Sequence, residues 1–205
     1  MPEYKFDITK LKNGDNILFH YRGFSWVSMA IRELTQSYWN HVGKFYWEGE
    51  NGVIIEALFK GVKITPIEDY IDFPNKYDLK AVRLKLEAFK DEAEYKLGMD
   101  TARIRMYNSI GKKYDFGAIV WLGIFYIWKN YYKKSKQYIG KTLGLNPLEN
   151  RDKFFCSETV CKADYGISSK FPYFYQGKTK ADCSTTTPKD TGWHNVDFIT
   201  GKDIL

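Results

Sequence analysis

The sequence predicts an α+β fold in which an antiparallel sheet, or a small barrel, is built early and packed against later helices. Three observations predict it. Short period-two segments divided by Gly and Asn turn pairs crowd residues 15–86. Helix-forming, charged sequence then dominates 87–136. No linker or repeat divides the 205 residues, a length that suits one domain, 1–205, with a full core.

The elements follow in order. Asn13-Gly14 introduces a short strand over Asp15 to Phe19. Phe24, Val27, Ala30, Ile31 and Leu34 recur at helical spacing and predict an amphipathic helix. His41 to Trp47 reads as an aromatic-rich strand. A tight turn at Glu50-Asn51-Gly52 returns the chain into a strand over Val53 to Leu58. Gly61 to Pro66 and Leu79 to Leu86 are further strands. Glu87 to Ile110 reads as a long helix, and Tyr114 to Lys136 as a second, more apolar one. Gly140 to Asn150 reads as a loop. Phe155 to Tyr165 reads as a short helix opening at or beside Cys156, and Val196 to Ile199 as a last strand. The 87–150 region is thus a helical, basic insertion.

Composition narrows the classes. The formal charge is +6 and aromatics make up 18% of the chain. This balance suits an anionic partner without identifying one. The basic 129–141 stretch is a candidate contact for an anionic or membrane surface, and a solvated helix face explains it equally well. Sequence-specific nucleic-acid recognition has only the charge in its favour, so no nucleic acid is expected. No phosphate-binding glycine loop is present, because Gly140-Lys141-Thr142 lacks the earlier glycine. Cys156, Cys161, Cys183 and His194 lack the close ligand pair of a zinc site, so no metal or other cofactor is expected. Three cysteines do not read as a disulfide framework, so reduced thiols in a cytoplasm are expected. Residues 1–13 lack the apolar core of a signal peptide. The apolar run Ala118 to Trp128 is shorter than a bilayer span. Localisation is therefore expected to be cytoplasmic, or at least without a standard export signal.

Chemistry concentrates at Cys156. A cysteine at a helix start feels the positive end of the helix dipole, which favours thiolate. A buried structural thiol is the plain alternative. His41 heads a strand, which would hold its ring in the fixed orientation a general base needs. Gly43, on the same strand face, leaves room for a backbone or a substrate. Glu56 alternates with Ile54 and Leu58, so it faces an apolar side and needs a partner. A histidine on the neighbouring strand would satisfy it and complete a triad. Asn40 and Glu158 are rivals for that third role, although Glu158 also suits the first turn of a helix.

In this order the segments resemble the circularly permuted branch of the NlpC-type papain-like superfamily, the YiiX-like proteins. The residues concerned are Gly14 to Phe19, Ser37 to Gly43, Ile54 to Ala57, Gly111-Lys112-Lys113-Tyr114-Asp115-Phe116, Phe155-Cys156-Ser157-Glu158, and Thr186-Thr187-Pro188-Lys189-Asp190. His41 precedes the cysteine, as in the permuted branch. The resemblance implies a papain-like fold, with Cys156 as nucleophile, His41 as base and Glu56 as orienting residue. It also implies that Tyr114 lies near the cleft and helps bind the oxyanion. Lys44 departs from the pattern, which has an apolar residue there. The function implied is a cysteine peptidase or amidase acting on a peptide, amide or acyl substrate through an acyl-enzyme. A lipid-directed acyltransferase or thioesterase of the lecithin:retinol acyltransferase-like type, and a non-catalytic binding module, are the alternatives.

Overall fold

The computed structural model describes residues 6–24, 28, 32, 37–117, 153–169, 183, 186–188, 191 and 196–203. The early period-two segments form β1 (Asn16–Tyr21), β2 (His41–Glu48), β3 (Asn51–Leu58), β4 (Gly61–Pro66) and β5 (Tyr77–Leu84). The one-turn α1 (Glu68–Ile71) lies between the last two. Then come α2 (Glu92–Ser109), β6 (Lys113–Tyr114), β7 (Lys153–Phe154), α3 (Cys156–Asp164) and β8 (Val196–Gly201). The predicted helix at 24–34 is helical at Ser28 and Arg32, the two of its inner residues that are described. The apolar 118–128 run, the basic 129–141 stretch and the 140–150 loop lie outside the described residues.

Six strands form one antiparallel sheet in the order β4-β3-β2-β1-β5-β8. Both faces are buried, which explains why several strands carry few exposed positions. On one face Tyr46, Val53, Ile55, Val62 and Leu84 pack against Ala102 and Met106 of α2 and Cys161 and Ala163 of α3. On the other, Ile17, Phe19, Phe45, Ile54 and Leu79 meet Leu11, Ile67 and Tyr70. Alternation along each strand sorts neighbours such as Ile54 and Ile55 to opposite cores.

Three local expectations change. The hairpin between β2 and β3 turns at Gly49-Glu50, not at Glu50-Asn51-Gly52. Gly49 takes the left-handed φ of +64°, and Asn51 and Gly52 are already paired with Glu48 and Trp47. The long helix starts at Glu92 because Asp91 caps it, accepting the Glu94 amide at 2.8 Å. Tyr114 lies in a strand rather than at a helix start. That strand, β6, pairs in parallel with β7. Gly61 makes room for its approach: at φ +113° its missing Cβ would stand 2.5 Å from the Lys112 carbonyl, which instead accepts the Val62 amide at 2.8 Å.

The expectation of reduced cysteines is overturned for two of the three. Cys161 on α3 and Cys183 form a disulfide, while Cys156 is free. An odd count hides a single bridge, because the sequence does not show that residues 22 apart approach.

Lys44 is the other departure explained. It is fully buried on β2 and pairs with Asp164 at the end of α3, 2.9 Å away. It also donates to the Gly14 carbonyl and to Asn16 Oδ1. A lysine replaces an apolar residue here because α3 brings it a carboxylate.

Candidate active site

Cys156 is the first residue of α3, and Phe155 before it is extended. Leu18, Trp39 and Val42 pack around Cys156 and Val160, seating the start of the helix against the ends of β1 and β2. The neighbouring acid, Glu158, turns away from the thiol. It accepts the Phe155 amide and pairs with Lys162 at 2.6 Å. Glu158 is thus an N-terminal capping residue, as its place in the first turn suggested.

His41 is the first residue of β2. It pairs in register with Phe19, whose ring lies 5.1 Å from the imidazole. His41 and Glu56 share the sheet face opposite α3. They can still reach Cys156 because His41 sits at the strand's end, where the helix begins. His41 Nε2 lies 2.5 Å from Glu56 Oε2, and the thiol hydrogen-bonds the ring. With Nε2 engaged by the carboxylate, Nδ1 is the nitrogen left for sulfur.

The carboxylate is held from three sides. Thr65 Oγ1 and the Tyr70 hydroxyl both donate to Glu56 Oε1 at 2.5 Å. These two donors were missed in the sequence. Thr65 shares the Glu56 face of the neighbouring strand, but Tyr70 arrives from α1 and no local pattern announces it. Gly43 has a defined task here. A Cβ on it would lie 2.5 Å from Ile54 Cγ2 and 3.0 Å from Glu56 Cβ. The space foreseen for a backbone or a substrate is taken by the side chain that holds the histidine.

Charge follows from these contacts. Burial opposes a charged His41, but attraction to Cys156, the hydrogen bond to it and the contact with Glu56 outweigh that. They raise the imidazolium to about 10. Burial pushes the Cys156 thiol up, yet the His41 charge and hydrogen bond lower it overall, helped by the amides of Val42 and Ser157. Burial likewise raises Glu56, and His41, Thr65 and Tyr70 together bring it below the ordinary carboxylate range. Each shift favours the charged form of its group, the imidazolium at His41 and the thiolate at Cys156.

A cleft of about 320 Å³ opens over this pair. Phe19, Tyr21, Phe59, Tyr70, Tyr77, Tyr114 and Phe116 contribute rings to it, with Ser28, Asn40, Ala57 and Leu58. Cys156 is almost enclosed, while His41 keeps 17% of its side chain exposed. Parallel pairing of Tyr114 with Phe154 places that tyrosine two residues from the cysteine segment. Burial and the nearby Cys156 and Asp115 charges push its hydroxyl well above its usual range, so it stays a neutral donor. Asn40, the rival orienting residue, lines the same cleft but is not the group on the His41 ring. Among the described residues, no cluster of three or more His, Cys, Asp or Glu is placed to hold a metal ion.

A family model for permuted papain-like amidase enzymes, YaeF/YiiX, C92 family, matches residues 10–120, a span that includes His41, Glu56 and Tyr114 and ends before Cys156. A solved structure described as metalloprotein yiiX from Escherichia coli O157:H7 superposes with a TM-score of 0.58 at 16% identity. The match covers 94% of this chain and 98% of that one. At that identity the likeness is one of fold. A search of curated proteins finds no match. A matching family model over more than half the chain, on a permuted papain-like sheet with a cysteine and a histidine joined across it, places this protein in the permuted papain-like amidases of the C92 family, and so in the cysteine-hydrolase class.

Proposed function

We propose that this protein hydrolyses an amide bond with Cys156 as nucleophile, His41 as acid–base and Glu56 as the group orienting His41. The observation carrying this reading is the linked series Glu56–His41–Cys156 beneath an open cleft. The thiolate attacks the substrate carbonyl carbon, and the C–O π electrons move onto oxygen. Tyr114 O–H and the backbone amide of Cys156 are the proposed donors to that oxyanion. Collapse breaks the C–N bond as the His41 imidazolium protonates the leaving amine. His41, now neutral, takes a proton from water, which attacks the thioester. The carboxylic acid leaves and Cys156 returns as thiolate.

The cleft supports a second reading on the acyl side. Apart from the Cys156–His41 pair, its described lining carries no charged side chain, and seven of its residues are aromatic. Such walls favour an apolar acyl group over a charged peptide side chain. An acyltransferase or thioesterase with a lipid substrate is therefore the alternative. Cys156→Ala and His41→Ala should both abolish turnover of a panel of N-acyl amides and acyl esters. Turnover that survives in the Cys156→Ala variant would rule the mechanism out. Partition of label between free acid and an added amine acceptor distinguishes hydrolysis from transfer.

A further inference from the structure

We propose that the Asn40 carboxamide is a substrate-recognition donor that binds a neutral oxygen of the acyl substrate through Nδ2, a role resting on the Cys156 reading above. Asn40 immediately precedes His41, is only 3% exposed and forms part of the wall of the Cys156 cleft. Its orientation is fixed: Oδ1 accepts the Tyr21 amide at 3.3 Å, and its own backbone amide donates to the Phe19 carbonyl at 3.0 Å. A flipped amide would set two donors against each other, so the Tyr21 N–H assigns Nδ2 to the other side. That Nδ2 is buried and has no hydrogen-bond partner among the described residues. Buried amide donors are nearly always satisfied, so an orphan one on a cleft-lining residue calls for an explanation.

The chemistry of the cleft says what would satisfy it. The rest of the described lining is mostly aromatic, with the Ser28 hydroxyl and the His41 ring among its other polar groups, and Glu56, the nearby carboxylate, already has its three donors. None of the described residues accepts from Nδ2, so the acceptor in this proposal comes with the ligand. An amide donor takes a carbonyl or hydroxyl oxygen and has nothing to offer an ammonium group. Asn40 would thus select an uncharged, oxygen-bearing acyl compound, and it is a positioning residue acting on substrate, not on His41.

The test uses two electrophiles on the full chain and follows modification of Cys156 by mass spectrometry. Iodoacetamide reports thiolate reactivity. p-Nitrophenyl octanoate reports acyl recognition, since the thiolate displaces p-nitrophenolate and leaves an octanoyl thioester. Asn40→Asp keeps the acceptor for the Tyr21 amide and removes the donor. Asn40→Ala removes the donor without adding charge, and thermal melting of both variants checks folding. The expected result is iodoacetamide labelling within about twofold of the parent and octanoylation about 10- to 100-fold slower, the effect of losing one buried hydrogen bond to substrate. Equal octanoylation in parent and variants overturns the proposal alone. A parallel fall with both reagents overturns it too, because Asn40 would then act through the Cys156–His41 pair or the fold. A parent whose Cys156 reacts with neither reagent overturns the active-site reading itself.

Discussion

At the scale of the residue, the chemistry depends on how one imidazole is surrounded. His41 is raised to about 10 although it is buried, because Cys156 and Glu56 both favour its charged form. The sign of the linkage follows. A raised histidine stabilises the fold fully below its ordinary value of 6.5, and that contribution is lost as pH climbs through about 10. The lowered Glu56 contributes above its ordinary 4.5, and its share is lost as pH falls through its lower folded value. Turnover should therefore follow a bell, with the alkaline limb near 10 and the acid limb below the ordinary thiol range. Glu56→Gln keeps a group that can orient the ring but removes its charge. A pH–rate profile of this variant should show the alkaline limb shifted to lower pH. Gly43→Ala should be harmful for a steric reason, since the new methyl meets Ile54 and Glu56. Its melting temperature should fall, reflecting the roughly 1–3 kcal/mol typical of overpacking.

At the scale of the element, two ties anchor α3. Lys44 and Asp164 form a buried pair between the strand that carries His41 and the helix that carries Cys156. Removing one partner strands the other, so Lys44→Met alone should cost about 3–5 kcal/mol in a urea titration. Replacing both, Lys44→Met with Asp164→Leu, should recover most of that loss, because two desolvated charges are exchanged for apolar packing. The second tie is the Cys161–Cys183 bridge. Ser157, next to Cys156, donates to the Thr186 carbonyl three residues beyond Cys183, so the bridge braces the segment beside Cys156. Closing a loop of this length is worth about 3 kcal/mol in the chain-entropy account. Cys161→Ser should lower the denaturation midpoint accordingly, and non-reducing peptide mapping of the parent should recover the linked pair. Absence of the linked peptide in oxidised protein would dismiss the bridge.

At the scale of the whole molecule, the site exists only because distant segments converge. β2 supplies His41, β3 supplies Glu56, α1 supplies Tyr70, and a helix more than a hundred residues beyond His41 supplies Cys156. Reactivity should thus report folding. Iodoacetamide titration of Cys156 should give a lowered thiol pKa in buffer and a return to the ordinary value of about 8.5 in urea. A value unchanged on unfolding would mean that tertiary contacts do not activate the thiol. Among the described residues no helix is long and apolar enough to cross a membrane.

Much of this arrangement was legible in the residues themselves. Strand and turn signals placed all six sheet strands to within about two residues, and alternation set Glu56 on a buried face. Local turn and capping chemistry shifted only the ends, at Gly49-Glu50 and at Asp91. The order of short segments identified the permuted family before any coordinates. Contacts between segments were not legible. The bridge from Cys161 to Cys183, the pairing of Lys44 with Asp164, the hold of Tyr70 on Glu56 and the unpartnered amide of Asn40 were decided by tertiary structure. The physical reason is one of range. Alternation, capping and turns are enforced by neighbours along the chain, so a sequence displays them. A buried charge or thiol acquires its partner only when packing brings a remote element to it, and spacing along the chain carries no record of that meeting.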